Sequence, residues 1–124
     1  MIFDTDVLIW LIRRNANAID LIASVQQREI SQATWLELVE GVRNKRELTA
    51  VKSLLVDLNV RMLPLTEPIG QRAGLLMEEH ALKGGLDAMD SIIAATALVN
   101  RLPLATSNYK HYKSLGVEVQ ILKP

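Results

Sequence analysis

The sequence contains no cysteine among its 124 residues, and aromatic residues make up only 4% of it. The lack of cysteine excludes thiol catalysis, cysteine-ligated zinc, iron–sulfur clusters and a disulfide framework. The scarcity of aromatic side chains leaves few platforms on which single-stranded bases could stack. Lys and Arg number 14, as do Asp and Glu, so the formal net charge is +0. Because proteins that coat nucleic acid are usually basic, any nucleic-acid contact must depend on local patches or metal ions.

Long hydrophobic runs are also missing. The longest early apolar run, Val7–Ile12, is far shorter than the ~18 residues that suggest a membrane span. A secretory signal places basic residues before its apolar stretch, but no basic residue precedes this N-terminus, and Asp4 and Asp6 interrupt it. We therefore expect no targeting segment, no membrane association and a cytoplasmic location. The length predicts a single domain over residues 1–124.

Short apolar segments alternate with helical patterns along the chain. We predict strands at Met1–Phe3, Glu29–Ser31, Val60–Leu65, Leu102–Thr106 and Val117–Leu122. We predict helices over Val7–Arg13, from a cap at Asn15 or Asn17, over Ala33–Asn44, over Glu47–Leu58, from Thr66 or Glu67 to Leu82, from Asp87 to Arg101, and over Asn108–Leu115. This alternation predicts an α/β fold with a parallel sheet, in which a site lies at the carboxyl ends of the strands.

Five acids and one amide lie at the predicted strand ends or in the adjoining helices: Asp4, Asp6, Glu37, Asp87, Asp90 and Asn108. In a parallel sheet they can converge on one crevice, where carboxylates repel one another unless a cation lies between them. Carboxylate and amide oxygens without His or Cys suit Mg²⁺ or Mn²⁺. Because such ions activate water and neutralise charge on a phosphate, phosphodiester hydrolysis is the predicted chemistry.

Each of these residues also has an ordinary structural explanation. Asp87 could be a helix N-cap, and Asp90 could be an acid placed favourably in a first helical turn. Glu37 and Glu40 could both be solvated helix acids. Two further members could be simple cap or turn residues: Asp6 and Asn108. Only their joint placement predicts a site.

The remaining candidates carry weaker signals. His80 and His111 have no partner at ligand spacing, so we predict that neither is catalytic. No glycine-rich phosphate-binding motif supports nucleotide binding. A small basic cluster is typical of a solvated helix end, with contact to phosphate as the less favoured alternative: Arg43, Lys45 and Arg46.

Four segments, in this order, resemble the motifs of PIN-domain nucleases, especially VapC-type toxins of toxin–antitoxin pairs. The opening Ile2–Ile9 resembles the start of these proteins, and Trp35–Gly41 is similar to their E-L-x-x-G helix. Asp90–Ala97 is similar to their D-x-x-I-A-A segment, and Thr106–Asn108 resembles their T-x-[ND] segment. The resemblance covers almost the whole chain, and it selects one acid from each ambiguous pair: Glu37 over Glu40, and Asp90 over Asp87.

The resemblance implies a three-layer α/β/α fold with a central, mainly parallel sheet. It implies an endoribonuclease that depends on Mg²⁺, with Mn²⁺ as a substitute, and acts on RNA as a toxin. Asp4, Glu37 and Asp90 would be metal ligands, with Asn108 as the fourth site residue. Many members have Asp where this chain has Asn108, so the number of tightly held metals is open. The resemblance also implies a cognate antitoxin and a homodimer.

Further residues are candidates for supporting roles. The candidates for residues that hold the ligands in place are Asp6, Thr5, Thr106 and Asp87. The candidates for RNA contacts are Arg43, Lys45, Arg46 and Lys110. For the antitoxin we expect a groove between the helices predicted at Val7–Arg13 and Ala33–Asn44. The apolar content of 49% favours such exposed interfaces.

Two alternatives come from other classes. The segment Phe3–Leu8 also matches the D-x-D-x-[TV] opening of haloacid-dehalogenase-like phosphatases, in which the first Asp, here Asp4, is a nucleophile. That motif needs a Lys before its acidic pair, whereas Lys110 follows Asp87 and Asp90 here, so the order is wrong. The other alternative is a PIN-like fold that only binds and does not catalyse.

Overall fold

The computed structural model describes residues 1–124. Its five strands are β1 (Ile2–Phe3), β2 (Arg28–Ser31), β3 (Val60–Leu63), β4 (Leu104–Thr106) and β5 (Val119–Ile121). They form one sheet in the order β3-β2-β1-β4-β5, in which every neighbouring pair is parallel. Both prolines in predicted strands lie just outside them, since Pro64 follows β3 and Pro103 precedes β4. The predicted strands are all present, and the predicted parallel sheet is confirmed.

Seven α-helices connect the strands. They are α1 (Thr5–Ile12), α2 (Ala16–Ser24), α3 (Gln32–Gly41), α4 (Lys45–Asp57), α5 (Glu67–His80), α6 (Ala88–Asn100) and α7 (Tyr109–Tyr112). A 3₁₀ turn, Ala81–Lys83, follows α5. None of the helices is both long enough and apolar enough to span a membrane.

The helix boundaries differ from the prediction where a polar side chain caps the next helix. Helix α3 stops at Gly41 and does not reach Asn44. Asn44 caps α4 instead, because the Oδ1 of Asn44 accepts a hydrogen bond from the Glu47 amide at 2.9 Å. Of the two candidate caps for α2, Asn15 is the one used, with its Oδ1 3.0 Å from the Ala18 amide. The predicted helix from Asn108 to Leu115 is reduced to the single turn of α7.

The hydrophobic core lies on both faces of the sheet. Successive side chains of a strand point to opposite faces, and accordingly Ile2 belongs to a cluster of 14 buried residues and Phe3 to a second cluster of 11. The first cluster packs beneath α5 and α6, and the second beneath α1, α2 and α4. Helices therefore cover both faces, and the predicted three-layer α/β/α architecture is confirmed.

The order of the strands places the functional end of the sheet. From β1 the chain adds β2 and β3 on one side, and then crosses to add β4 and β5 on the other side. This change of direction is a topological switch point, where the connections leaving β1 and β4 diverge and open a crevice at their carboxyl ends. The backbone amide of Asp4 donates to the Ala105 carbonyl at 2.9 Å, so the residue after β1 lies beside the end of β4.

Candidate active site

Asp4 lies at the centre of this crevice and caps α1. Its Oδ1 accepts a hydrogen bond from the Thr5 amide at 2.8 Å, and its Oδ2 accepts one from the Thr106 hydroxyl at 2.7 Å. The side chain is nearly fully buried. Burial, with smaller contributions from the charges of Asp6 and Asp90, raises the pKa of Asp4 to about 7, although both hydrogen bonds act in the opposite direction.

Asp6 does not cap the first helix, because Asp4 does. Instead it reaches across to the end of β4, where its Oδ2 accepts a hydrogen bond from the Ser107 amide at 3.0 Å and also contacts the Ser107 hydroxyl. Its Oδ1 is buried and has no hydrogen-bond partner. Asp6 therefore joins the loop after β4 to the start of α1 and leaves one carboxylate oxygen unpaired.

Glu37 reaches the same crevice from α3. The Thr5 hydroxyl donates to Glu37 Oε1 at 2.6 Å, so Thr5 contacts Asp4 through its amide and Glu37 through its side chain. Partial burial raises the pKa of Glu37, and the charges of Asp90, Asp87 and Glu40 add to this effect. Glu40 is exposed and has no hydrogen bond of its own to the crevice residues.

Asp90 enters from the first turn of α6. Asp87 is the N-cap of this helix, since its Oδ1 accepts the Asp90 amide at 2.8 Å. The hydroxyl of Tyr112 donates to Asp90 Oδ1 at 3.2 Å, and Nδ1 of His111 lies at ion-pair distance, 2.8 Å, from Asp90 Oδ2. Burial raises the pKa of Asp90, and the charge of Asp87 adds to this effect, whereas His111 and Tyr112 oppose it.

His111 has no partner at ligand spacing in the sequence, but the structure places its ring beside Asp90. His111 and Asp90 are far apart in the sequence, so their spacing does not predict this contact. His80 makes a separate contact, with its Nε2 3.5 Å from Oε2 of its neighbour Glu79. That neither histidine is catalytic stays a prediction.

Asn108 lies near the crevice without touching its carboxylates. Its backbone amide donates to the Thr106 hydroxyl at 2.9 Å, and its Nδ2 lies 3.0 Å from Nδ1 of His111. It occupies the N-cap position of α7, but its side chain makes no capping hydrogen bond. Its side-chain contact is thus with His111 and not with the metal-ligand candidates.

The donor chemistry of the crevice fits a divalent cation. Asp4, Glu37 and Asp90 all have a raised pKa, and each is affected by at least one other carboxylate. Two buried carboxylate oxygens, Asp6 Oδ1 and Asp90 Oδ2, lack a partner in hydrogen-bond geometry. A cation would relieve both the repulsion and the missing contacts. No three His, Cys, Asp or Glu side chains are close enough together to form a ready-made ligand set.

The candidate RNA contacts lie outside this cluster. Arg43 pairs with Glu47, with Nη2 and Oε2 3.0 Å apart, and its side chain is 85% exposed. Three further cations are exposed and form no ion pair: Lys45, Arg46 and Lys110. Lys110 belongs to α7, next to the crevice, whereas the other cations flank the start of α4.

Sequence reasoning did not assign a role to the partners of Asp90 and Asp6, namely His111, Tyr112 and Ser107. The spacing from Asn108 places His111 and Tyr112 on its side of one helical turn, but it does not show that they reach Asp90. No local pattern points to Ser107, whose contact with Asp6 joins residues 101 positions apart.

We expect Thr106→Val to destabilise the protein through Asp4. Valine has a similar shape but removes the donor to Asp4 Oδ2 and the acceptor of the Asn108 amide, so the unfolding free energy at pH 8 should fall by about 1–3 kcal/mol. Urea unfolding measures this. Thr96→Val is the matched control: Thr96 is equally buried but contacts no carboxylate, and its substitution should cost less. Equal losses in the two variants would contradict the role of Thr106.

Comparison with known proteins identifies the family of this fold and site. The model of the PIN domain family matches residues 1–115. Ribonuclease VapC10 of Mycobacterium tuberculosis is 35% identical over 116 residues, which cover 90% of this chain and 85% of that protein. A toxin–antitoxin complex from Klebsiella pneumoniae is 27% identical, with a TM-score of 0.81 and coverage of 96% of this chain and 94% of that chain. DNA-bound VapBC from Salmonella typhimurium has a TM-score of 0.83 at 23% identity, covering 97% and 96% of the two chains.

The fold and the carboxylates at its switch point are those of a PIN domain, and this chain belongs to the PIN-domain family. Within that family its similarity is to VapC-type ribonucleases, so the resemblance found in the four sequence motifs is confirmed. Nucleases of this kind generally depend on a divalent metal ion.

Proposed function

We propose that this protein is a metal-dependent endoribonuclease that acts as the toxin of a toxin–antitoxin pair. The observation that carries this proposal is that Asp4, Glu37 and Asp90 line one crevice at the switch point of a PIN fold, where each has a raised pKa. Clustered carboxylates that resist ionisation are typical of sites that bind a cation. The similarity to a protein named as a ribonuclease, at 35% identity, supports RNA as the substrate.

In this proposal Asp4, Glu37 and Asp90 hold the metal ion, which is Mg²⁺ with Mn²⁺ as a substitute. The bound ion supplies an activated water and neutralises charge on the scissile phosphate. Thr5 and Thr106 hold the carboxylates of Glu37 and Asp4 in place.

Further residues around the metal ligands have supporting roles in this proposal. Asn108 is the fourth site residue, Asp6 orients the loop after β4, and Asp87 fixes the first turn of α6. Lys110 and the cations beside α4 are the proposed RNA contacts, namely Arg43, Lys45 and Arg46. Residues 1–124 form one domain, and the protein acts in the cytoplasm, where its RNA substrates are.

The two alternatives lead to different observations. Membership of the PIN-domain family argues against a phosphatase with Asp4 as nucleophile, since the motif order is also wrong for that class. A covalent aspartyl phosphate on Asp4, trapped with fluoride, would support it nevertheless. A catalytically silent module would bind RNA or a protein partner without cutting RNA.

We expect the purified protein to cleave internally within RNA only when a divalent metal is present. End-labelled RNA should give shortened products with millimolar Mg²⁺ or Mn²⁺, and none with EDTA. Asp90→Asn, which keeps the shape of the side chain but removes its charge, should abolish the products. Cleavage that persists in EDTA would overturn the metal site, and RNA binding without cleavage would favour the silent module.

An apolar groove beside the crevice suits the antitoxin. It has a volume of about 870 Å³, and residues from α1 to α4 line it, including Ile12, Ile19, Leu38 and Leu54. The lining also includes Arg13 and Arg14, which form no ion pair, as well as Glu37 and the ion pair of Arg43 with Glu47. We propose that an amphipathic antitoxin segment with acidic residues binds here, because the lining is mostly apolar and carries two unpaired arginines. Since Glu37 belongs to both the groove and the crevice, the bound segment would block access to the active site.

Charge introduced into the groove should weaken antitoxin binding but not RNA cleavage. Ile12→Glu replaces an exposed apolar side chain of the groove with a charged one, and we expect at least a tenfold loss of affinity for the purified cognate antitoxin. Calorimetric titration measures it. Val56→Glu is the control, because Val56 is also exposed on α4 but does not line the groove. Unchanged affinity in Ile12→Glu would place the antitoxin elsewhere.

The homodimer implied by the family resemblance is also a proposal. Large apolar side chains that do not line the groove are exposed on or next to β3 and α5: Met62, Leu65 and Leu75. Exposed apolar residues of this kind are available for a subunit interface. Sedimentation that shows only monomer at tens of micromolar would contradict the dimer.

A further inference from the structure

Helix α7 places two consecutive side chains against one carboxylate. The Tyr112 hydroxyl contacts Asp90 Oδ1 at 3.2 Å, and His111 Nδ1 lies 2.8 Å from Asp90 Oδ2. Asp90 Oδ1 therefore accepts a hydrogen bond from α7, and Oδ2 lies at ion-pair distance from the same helix without hydrogen-bond geometry, although Asp90 itself belongs to α6. A metal ligand contacted on both oxygens has a restricted orientation.

Tyr112 is buried completely, which makes its polar group notable. A phenylalanine would fill nearly the same volume in the core without a hydroxyl to satisfy. The Tyr112 hydroxyl is a hydrogen-bond donor, and its partner is Asp90 Oδ1, an oxygen of a proposed metal ligand.

His111 connects Asn108 to Asp90. Its Nδ1 lies 3.0 Å from Asn108 Nδ2 and 2.8 Å from Asp90 Oδ2. Because one ring nitrogen either accepts from the amide or donates to the carboxylate, Asn108 and Asp90 compete for the same atom. Asn108 makes no hydrogen bond to Asp4, Glu37 or Asp90. Any effect of the Asn108 side chain on the carboxylates in this arrangement therefore passes through the imidazole ring.

We propose that His111 and Tyr112 are positioning residues that orient the Asp90 carboxylate for the divalent ion, and that Asn108 acts through His111 without touching the ion. This inference rests on the proposed function, because it refines how the proposed metal site is held. It differs from a direct role for Asn108 at the metal. Residues that hold a metal ligand in place typically contribute about 10- to 100-fold in metal affinity.

Calorimetric titration of Mn²⁺ alone, without RNA, tests the positioning role. Tyr112→Phe and His111→Leu should each weaken Mn²⁺ binding by about 10-fold or more, and His111→Gln, which keeps a polar group near Asp90, should restore part of the affinity. Tyr109→Phe is the matched control, because Tyr109 lies on the same helix with an exposed ring and no hydrogen bond to Asp90. The two variants should also lower kcat for RNA cleavage more than they raise KM.

A double-mutant cycle tests the route from Asn108. Asn108→Ala should weaken Mn²⁺ binding in the wild-type background but have no further effect in His111→Leu, since the connection is already broken. Additive losses would overturn the route through His111.

The outcomes separate this inference from the proposed function. Wild-type protein that binds no Mn²⁺ would overturn both. Mn²⁺ binding that Asp90→Asn abolishes, while Tyr112→Phe and His111→Leu bind as tightly as wild type, would uphold the metal site and overturn the positioning role. Circular dichroism of each metal-free variant confirms that it folds, so a loss of binding is not a loss of structure.

Discussion

Glu37→Gln is expected to reduce RNA cleavage by about 100-fold or more, whereas Glu40→Gln should leave it within about twofold of wild type. Both residues lie on α3, three positions apart, and both are acidic. Glutamine at position 37 can still accept the hydrogen bond from the Thr5 hydroxyl, so the local structure is kept and only the charge is lost. Glu40 is exposed, and its charge is the smallest of the contributions to the raised pKa of Glu37.

This pair of variants makes the assignment of Glu37 testable within one helix. Initial rates of RNA cleavage at saturating Mg²⁺ measure the effect, and thermal unfolding shows whether both variants fold equally well. Equal activity in the two variants would mean that Glu37 is an ordinary helix acid and that the metal is held by other residues. A loss confined to Glu40→Gln would reverse the choice that the sequence motif makes.

Asp4→Asn should stabilise the metal-free protein at high pH while it abolishes cleavage. The pKa of Asp4 is about 7 in the folded protein, against 3.8 for an ordinary, solvated aspartate. Between these values the folded state binds more protons than the unfolded state, so the contribution of Asp4 to stability falls as the pH rises through this window. Asparagine keeps the cap of α1 and carries no charge, so it escapes this loss.

Urea unfolding in EDTA at several pH values measures the effect. The unfolding free energy of Asp4→Asn should exceed that of wild type by an amount that grows from near zero at pH 4 to an upper limit of about 4 kcal/mol at pH 8. Glu37 and Asp90 titrate in both proteins, so their contributions largely cancel in the difference. Adding Mg²⁺ at pH 8 should stabilise wild type far more than the variant. A difference in unfolding free energy between the two proteins that does not change with pH would show that burial does not raise the pKa of Asp4.

The sequence alone predicts where the strands and helices lie and identifies most of the candidate residues of the site. Helical and alternating periodicity depends on residues a few positions apart, so the strands and helices follow from the sequence, with errors at their ends. Those errors have local causes, such as the use of Asn44 as a cap of α4 and of Asn15 as the cap of α2. The motifs around Asp4, Glu37, Asp90 and Asn108 identified the family, which the comparison with known proteins confirms.

Only the tertiary structure decided how these residues are held. The adjacency of β1 and β4 joins Asp4 to Thr106, 102 residues apart, and Asp6 to Ser107. The contact of Asp90 with His111 and Tyr112 follows from the packing of α7 against the start of α6, and no spacing in the sequence encodes it. The raised pKa of Asp4 likewise arises from burial at the switch point, because desolvation depends on which segments cover a group and not on its neighbours along the chain.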